Sequence, residues 1–371
     1  MQVQDEHQTG SEPDPARTTV ALTRRAFVAG LVASAAGVAL LGLGGRSEAV
    51  SAAPLADDVL NPAARAPGQL SPLITPNAAF YVVTKNAGGD PVIDAASWRM
   101  VIDGQVNSPV QLDYPTLQQL PQVQVVKTLE CISNLTAQCE QASFGCGLIS
   151  NAVWTGARLS DVLDLAGGLK PDAVTVAAIA ADEFTSAIPI DAALDPETLI
   201  VYQMNGAPLP AAHGFPARVL VPGRYGMKNA KWVVRLSPTN QPFVDWYGQR
   251  NWTRDAIVNT MSRIDVPAPG AELPAGPQTI AGIAYAGDRG ISAVEYSADG
   301  GASWQPASPS EPQPGRDTWV RWQGSFSLAA GQVAQLVVRA TDGTGALQTD
   351  QFSLAQPNGA TGWHSITVKG A

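Results

Sequence analysis

The chain has 371 residues, of which 45% are hydrophobic and 15% charged, so it is long enough for two or three packed domains and too apolar for a disordered protein. Its 23 basic and 32 acidic side chains give a net charge of −9, which excludes a general nucleic-acid binder because such proteins need a dominant basic surface. The three histidines, His7, His213 and His364, lie too far apart in the sequence for a multi-histidine metal site within one domain.

Residues 1–52 are typical of an export signal. Arg24 and Arg25 directly precede an uncharged run, residues 26–45, and small residues follow at 51–53. A basic start, an apolar segment and a small-residue exit characterise such signals, and the paired arginines resemble the twin-arginine type. The run is also long enough to remain as a membrane anchor. We expect twin-arginine export, with cleavage or with an uncleaved anchor, to the periplasm or the outer face of the cytoplasmic membrane. That route carries folded proteins, often with a cofactor already inserted.

Residues 53–76 contain five prolines and little periodicity, which predicts an extended linker. Residues 77–262 then mix strand and helix patterns. Strand patterns occur in "FYVVTKN", "WRMVIDGQV", "PARVLVPGRYG", "KWVVRLSP" and on both sides of Asp182 and Glu183. Short helices are expected at "TLQQL" after Pro115 and at "LSDVLDLAGGL". These patterns predict an α+β domain rather than a regular βαβ repeat, and no nucleotide-binding loop motif is present.

Residues 263–371 have a different pattern, in which short segments of alternating apolar and polar residues recur. Examples are "TIAGIAYAG", "ISAVEYSADGGASWQ", "TWVRWQGSFSL", "AQLVVRATDGTGAL" and "WHSITVK". Asp-Gly pairs at Asp299 and Asp342 mark turns between them. This spacing predicts an all-β sandwich of the immunoglobulin-like type.

The chain has three cysteines, and Cys131 lies at the end of the predicted strand in "VKTLECISNLT". Four interpretations of Cys131 are open: a small core residue, a disulfide partner, a nucleophile or a metal ligand. The spacings of eight and seven residues to Cys139 and Cys146 do not favour zinc, which prefers CxxC pairs. Cys139 and Cys146 lie in a polar loop and can close a small disulfide if their geometry permits, which would leave Cys131 as the thiolate.

Basic residues cluster after His213, the only histidine of the predicted α+β domain. A Cys–His catalytic pair is one interpretation, and a solvated basic face is another. The cations alternate with apolar residues and glycines, which favours a pocket for an anionic ligand. The basic residues are Arg218, Arg224, Lys228 and Lys231.

Several segments together resemble one family. "TLECISN", "NAVWTGARLSDVL", "HGFPARVLVPGRYGMKNAKWVVRL" and "DWYGQRNW" resemble the sulfite oxidase family of molybdopterin-dependent oxidoreductases. The segments "GIAYAGDRGISAVEYSADGGASW" and "GWHSITVK" are similar to parts of that family's immunoglobulin-like dimerisation domain. The resemblance runs from Phe80 to Lys369, and its motifs follow one order across both predicted domains.

The resemblance implies a molybdenum–molybdopterin cofactor with Cys131 as the covalent protein ligand to the metal, which suits a soft thiolate. It implies that the cofactor phosphate is held by His213, Arg218, Lys231 and, as a further candidate, Lys228. The segment "YVVTKN" stands where the family has a pterin-contacting segment, which implies that Lys85 and Asn86 contact the pterin. Our candidates for the substrate pocket are Tyr225, Arg224 and Arg250. A homodimer through the C-terminal domain is also implied.

Two departures from the family pattern bear on function. Sulfite oxidases have a paired arginine shortly after the ligand cysteine, whereas this chain has Leu135, Thr136 and Ala137, and "FYVVTKN" contains no arginine. We therefore expect oxygen-atom transfer on a small substrate other than sulfite. The chain has no CxxCH haem motif, so we expect a separate electron-transfer partner, cytochrome or quinone-linked. The alternatives are a non-catalytic immunoglobulin-like binding protein and a Cys–His hydrolase.

Overall fold

Four β-sheets and a two-stranded ribbon make up residues 59–371, which are the residues that the structure, a computed structural model, describes. The predicted export signal in residues 1–52 lies outside the described residues. Among residues 59–371, no helix is both long and apolar enough to cross a membrane. The ribbon pairs β1 (Val59–Asn61) with β2 (Val82–Thr84) in antiparallel fashion.

The first sheet carries the strand that ends next to Cys131. Its strands are β5 (Gln122–Glu130), β6 (Ile149–Arg158), β9 (Leu199–Met204), β10 (Ala207–Pro208) and β11 (Arg218–Leu220). They are antiparallel in the order β10–β9–β6–β5, and β11 pairs with β9. The register of β5 and β6 pairs Glu130 with Ile149, so the loop containing all three cysteines connects the two strands.

The second sheet is mixed. Its strands are β3 (Arg99–Ile102), β4 (Val110–Asp113), β7 (Thr175–Ala180), β8 (Thr185–Pro189) and β12 (Val233–Thr239). Their order is β4–β3–β12–β7–β8, with β3 and β12 parallel and the other neighbours antiparallel. The predicted strands on both sides of Asp182 and Glu183 are confirmed as β7 and β8.

Three short helices lie at the sheet edges: α1 (Tyr114–Gln119), α2 (Leu159–Asp164) and α3 (Ile190–Ala193). The first begins where the Asp113 carboxylate accepts from the Thr116 amide (3.0 Å), which satisfies an otherwise unpaired helix N–H. These helices bury Leu117, Leu163 and neighbouring apolar residues in the core shared by the first two sheets. The two predicted helices are confirmed. The fold is nevertheless mostly β, so the predicted α+β composition is only partly recovered.

The C-terminal region contains two more sheets. The third sheet contains β13 (Met261–Val266), β15 (Gly276–Tyr285), β18 (Ser308–Pro309) and β19 (Val320–Leu328), and the fourth contains β14 (Glu272–Leu273), β16 (Ile291–Ser297), β17 (Gln305–Pro306), β20 (Val333–Asp342) and β21 (His364–Gly370). Apolar residues of both sheets, such as Trp322 and Leu336, share one core. The region is therefore a two-sheet sandwich, whose immunoglobulin-like type stays a prediction.

The described part of the predicted linker, residues 59–76, is packed against the rest of the molecule. The amide and hydroxyl of Ser71 both donate to the buried Asp265 carboxylate (2.9 and 2.7 Å). The Thr75 amide donates to the Asn151 carbonyl (2.7 Å). The prolines do limit regular structure here to β1. Its backbone and side chains form hydrogen bonds with buried polar groups, however, so this part of the chain is not a flexible linker.

A buried ion pair joins the first sheet to the C-terminal region. The Lys127 ammonium, in β5, contacts the Asp317 carboxylate, and both side chains are 2% exposed. Lys127 also donates to the Val221 carbonyl (2.6 Å), and Asp317 accepts from the Gly223 amide (3.0 Å) and the Tyr285 hydroxyl (2.7 Å). Burial lowers the pKa of Lys127 and raises the pKa of Asp317, so each group needs the other in order to remain charged.

We expect Lys127→Met to lower the free energy of unfolding by about 3–5 kcal/mol, because it leaves the Asp317 charge buried without its cation. The matched control is Lys369→Met, which removes an ion pair with Glu272 whose side chains are 53% and 63% exposed. That change should cost less than about 1 kcal/mol. Urea denaturation of both variants measures the difference, and equal losses would contradict a structural role for the Lys127 pair.

Candidate active site

Cys131 directly follows the last residue of β5, and a small hydrogen-bond network fixes its position. The Cys131 amide donates to the Leu148 carbonyl, and the Cys131 carbonyl accepts from the Asn134 amide (both 2.9 Å). The Asn134 side chain accepts from the Leu148 amide (2.9 Å) and donates to Glu130 (2.8 Å). The Cys131 side chain is 7% exposed. Hydrogen bonds of the backbone and of the Asn134 side chain therefore fix the position of Cys131 at the end of the strand.

The Cys131 side chain lines a cavity of about 760 Å³, its open mouth included. Five parts of the chain form the wall: β2 with its flanking residues, the end of β5 with the two residues after it, the 211–232 segment, the turn between β7 and β8, and Tyr247. The lining residues are Phe80, Tyr81, Val82, Val83, Thr84, Lys85, Leu129, Cys131, Ile132, Asp182, Phe184, Ala212, His213, Arg218, Gly226, Met227, Asn229, Lys231, Trp232 and Tyr247. Residues distant in sequence thus converge on one thiol.

Arg218, the first residue of β11, is a buried cation in this cavity. Its Nη1 donates to the His213 carbonyl (3.1 Å) and its Nη2 to the Asn229 carbonyl (2.9 Å). The guanidinium lies over the Trp154 ring, 5.3 Å from the centroid. Its buried Nε has no hydrogen-bond partner among the described residues. The Nε–H of Arg218 is therefore an unused buried donor.

Lys231 is the second cation that lines the cavity, and it is half-buried. Its ammonium donates to the Ala212 carbonyl (3.0 Å) and lies 4.1 Å from the centroid of the Trp232 ring. Burial lowers its pKa to about 8, and burial also lowers the pKa of Arg218 to about 10. Neither forms an ion pair with an acidic side chain in residues 59–371.

Buried positive charge without an acidic partner is costly, and a bound anion removes the cost. Arg218 and Lys231 therefore fit a phosphate group, and the unused Arg218 Nε offers it a charge-assisted hydrogen bond. The Cys131 thiol at the same cavity fits a soft, sulfur-bound metal. These residues thus match the two ends of a molybdopterin cofactor.

His213 lines the cavity, and its surroundings favour the neutral ring near pH 7. Its role at the cofactor phosphate stays a prediction. Burial, and then the charge of Arg218, lower its pKa to about 4. Its Nε2 lies 3.2 Å from the Asn77 carbonyl, which can only accept, so Nε2 carries the proton. His213 can therefore bind a ligand by hydrogen bonding through Nδ1, but not by charge.

Two glycines allow the chain to approach the cavity closely. A Cβ on Gly226 would lie 3.1 Å from the Tyr81 hydroxyl and 3.9 Å from the Cys131 Cα. Gly214 has φ +110°, and a Cβ there would lie 3.1 Å from the Lys231 Cα. Both positions keep space beside the functional side chains that a larger residue would fill.

Lys85 and Asn86 meet at Asp182, in the turn between β7 and β8. Lys85 donates to the Asp182 carbonyl (2.6 Å), and its ammonium lies 3.7 Å from the carboxylate. Asn86 donates to the same carboxylate (3.0 Å). Lys85 lines the cavity, whereas Asn86 does not. The sequence indicated the two strands on either side of Asp182 but not this contact across the cavity wall.

Lys228 does not line the cavity, contrary to its predicted role. Its ammonium pairs with the Asp245 carboxylate (2.5 Å), and both side chains are buried. Asp245 also accepts from the Ala187 amide (3.0 Å). Because its charge is already compensated, Lys228 stabilises the fold rather than offering a phosphate site.

The three substrate-pocket candidates lie outside the cavity lining. The Tyr225 hydroxyl is buried and accepts from the Asn259 amide (3.1 Å). Arg224 donates to the Asp255 carbonyl. Arg250 is exposed and stacks on Trp246, with its guanidinium carbon 3.6 Å from a ring centroid. Tyr225 nevertheless lies near the thiol: it packs in one cluster with Ile132 and Met227, and burial and, to a lesser extent, the Cys131 thiol raise its pKa.

Aromatic wall residues were missed in the sequence. Phe80 and Tyr81 stack with centroids 5.4 Å apart, and the Phe80 ring packs edge-on against the His213 ring at 5.3 Å. Both residues open the segment "FYVVTKN", whose pattern predicts only a strand, so the sequence does not indicate that their rings line a cavity. Trp232 was interpreted as an apolar neighbour of the cations, although its ring carries Lys231.

Cys139 and Cys146 form a disulfide, with Cα atoms 5.2 Å apart. Their sulfurs and a ring nitrogen of His364 lie within 4.8 Å of one another. Oxidised sulfurs are not thiolate ligands, and His364 Nδ1 already accepts from the Ile264 amide (3.1 Å). This cluster is therefore structural as it stands, and Cys131 is the described cysteine outside the disulfide.

Comparisons with known proteins agree with this geometry. The model of the oxidoreductase molybdopterin binding domain matches residues 87–247, and that of the Mo-co oxidoreductase dimerisation domain matches residues 253–370. Sulfite oxidase of Gallus gallus is 31% identical over 321 residues, covering 76% of this chain and 69% of that protein. Mitochondrial sulfite oxidase of Homo sapiens is 32% identical over 342 residues, covering 80% of this chain and 61% of that protein.

The fold is similar to the crystal structure of the sulfane dehydrogenase SoxCD from Paracoccus pantotrophus. The TM-score is 0.73 at 25% identity, with 81% of this chain and 82% of that chain covered. Two matched domains, the relatives and a cavity that fits molybdopterin lead to one assignment. The chain belongs to the sulfite oxidase family of molybdopterin-dependent oxidoreductases, and its cofactor is molybdenum–molybdopterin.

Proposed function

We propose that this oxidoreductase transfers an oxygen atom to or from a small substrate other than sulfite. The observation that carries the proposal is the shared cavity, in which the Cys131 thiol lies with two cations, the buried Arg218 and the half-buried Lys231, that form no ion pair with a described acidic side chain. The missing arginines support the exclusion of sulfite. Leu135, Thr136 and Ala137 are buried uncharged residues where sulfite oxidases have the paired arginine.

Residues of the chain itself would bind the cofactor and fix its orientation. Arg218 and Lys231 would hold the cofactor phosphate, and His213 adds a neutral hydrogen-bonding group. Cys131 would supply the thiolate ligand, its direction set by Asn134. When bound, the cofactor supplies a redox-active molybdenum for two-electron oxygen-atom transfer. Apolar wall residues around Cys131 exclude water, which strengthens electrostatic interactions within the cavity.

Electrons must enter or leave through another protein, because the chain has no haem-attachment motif. We propose a cytochrome or a quinone-linked protein as that partner. The matched dimerisation model supports a homodimer through an immunoglobulin-like domain at residues 263–371, following a catalytic domain at 77–262. Twin-arginine export to the periplasm, or to the outer face of the membrane, rests on residues 1–52 of the sequence.

The family match supports neither alternative function. A Cys–His hydrolase has no use for two cations without ion-pair partners in the cavity of its nucleophile. A non-catalytic immunoglobulin-like binding protein has no use for a buried thiol that lines a cavity. Molybdenum and pterin analysis of the purified protein decides the matter, and a protein without either would overturn the proposal.

We expect Cys131→Ser to keep the fold and the pterin but to lose oxygen-atom transfer to any small S-oxide or N-oxide. Serine is nearly isosteric, whereas its oxygen is a harder ligand than a thiolate and changes the metal's redox properties. The measurements are circular dichroism, pterin fluorescence after oxidation and the sulfur-to-metal absorption. Unchanged absorption and turnover would show that Cys131 is not the ligand.

Arg218→Ala should fold but lose most of its pterin, because removing one partner of a buried charge pair costs about 2–5 kcal/mol. Arg250→Ala is the matched control, since this arginine is exposed and lies outside the cavity. The pterin content of both variants is measured by fluorescence of the oxidised cofactor. Full pterin content in Arg218→Ala would remove Arg218 from the phosphate site.

A further inference from the structure

A second cavity is separate from the one that contains Cys131. It measures about 1000 Å³, its open mouth included, which is at the upper end of the range for small-molecule sites, roughly 300–1,000 Å³. Residues from the segments 62–75, 139–149 and 263–269 form its wall, together with Trp319 and His364. Among the described residues, none lines both cavities. The second cavity is therefore distinct from the cofactor site.

The charged groups that line the second cavity do not balance. The Asp265 carboxylate, 0% exposed, forms ion pairs with both Arg263 (2.7 Å) and Arg65 (3.6 Å). Burial opposes the ionisation of Asp265, but the two arginines outweigh it and lower its pKa. Burial, and then the charge of Arg263, lower the pKa of His364 to about 4, so its ring is neutral. Two guanidinium groups thus share one carboxylate, and the described lining has one positive charge in excess.

Arg65 has a pair of donors that the described residues do not use. Its Nη1 donates to the Gln69 carbonyl (2.9 Å) and is the atom nearest Asp265. Its Nε and Nη2 form no hydrogen bond with a described residue. These two N–H groups lie on one edge of the planar guanidinium, an arrangement that binds both oxygens of a carboxylate at once. The Arg65 side chain is 27% exposed, and desolvation lowers its pKa, so a bound anion would stabilise its charge.

His364 offers another donor from the same lining. The residue is 5% exposed. Its Nδ1 accepts from the Ile264 amide (3.1 Å), so the proton of the neutral ring lies on Nε2. The Nε2–H forms no hydrogen bond with a described residue. Because a buried donor without an acceptor costs free energy, an acceptor atom inside the second cavity would be favourable there.

Much of the remaining lining is apolar. Four prolines, Phe144, Ile149 and Trp319 contribute to it. The Trp319 indole N–H already donates to the Leu73 carbonyl (3.2 Å), so the ring offers the cavity an apolar surface. An inorganic dianion would carry more charge than the lining has in excess and would gain nothing from these side chains. A single carboxylate attached to an apolar body satisfies both features.

We propose that the second cavity binds a small organic monocarboxylate, whose carboxylate pairs with the Nε and Nη2 edge of Arg65. The apolar body of this ligand packs against Phe144 and Trp319, and the His364 Nε2–H donates to the ligand. This binding site goes beyond the proposed function and does not depend on it, because the cofactor cavity has other lining residues.

Isothermal titration calorimetry of the purified, full-length, cofactor-loaded protein tests the proposal. Phenylacetate is the probe, phenylacetamide its uncharged isostere, and sulfate an inorganic anion without an apolar body. We expect phenylacetate to bind at least about 10-fold more tightly than either, because a charge-assisted hydrogen bond and apolar burial are combined only in this probe. If wild-type protein does not bind phenylacetate, water alone fills the second cavity and the proposal is wrong. Equal affinity for phenylacetamide or for sulfate would also overturn it.

Arg65→Gln should lower the affinity for phenylacetate by about 10-fold or more and leave that for phenylacetamide unchanged. Arg65→Lys keeps the charge but loses the paired donors, so its affinity should be intermediate. Arg99→Gln is the matched control, since Arg99 is also exposed, donates to carbonyls nearby in sequence and lines neither cavity. Full affinity in Arg65→Gln, or an equal loss in Arg99→Gln, would refute the site.

Pterin and molybdenum contents keep this result separate from the proposed function. Both contents should be the same in the wild type and in Arg65→Gln. Protein without pterin would refute the proposed function and would leave phenylacetate binding to be judged by Arg65→Gln. Loaded protein that does not bind phenylacetate would refute only the second site.

Discussion

The buried ion pair of Lys127 and Asp317 connects two parts of the chain that line the cavity to the C-terminal region. Lys127 lies in β5, the strand that ends before Cys131, and Asp317 belongs to the C-terminal region. The same two groups bind the Val221 carbonyl and the Gly223 amide, at the start of the loop that reaches Gly226. Because an unpaired charge cannot remain in this interior, the strand, the loop and the C-terminal region are constrained to one arrangement.

A second constraint is electrostatic. The described lining of the cavity holds two cations that form no ion pair, the buried Arg218 and the half-buried Lys231, and desolvation lowers the pKa of both. A bound anion reverses that penalty, so cofactor binding and folding stability are linked through Arg218 and Lys231.

The basic residues of the segment 218–231 make different kinds of contact. Arg218 and Lys231 point into the cavity, Lys228 pairs with Asp245, and Arg224 bonds to the Asp255 carbonyl. The difference arises because the chain passes from β11 through a short 3-10 turn at Gly226–Lys228 before β12 begins. Side chains leave this turn in several directions, so spacing along the sequence does not predict which cation reaches the cavity.

Features that depend on local chemistry or on family motifs could be predicted from the residues alone. They are the short helices, the strands on both sides of Asp182, the position of Cys131 at a strand end and the molybdopterin family. Which charges are compensated could not be predicted in this way. The neutral state of His213, the Lys228–Asp245 pair and the stacking of Arg250 on Trp246 depend on partners distant in sequence or on burial. Burial and long-range pairing are properties of the packed chain, and no periodicity in the sequence encodes them.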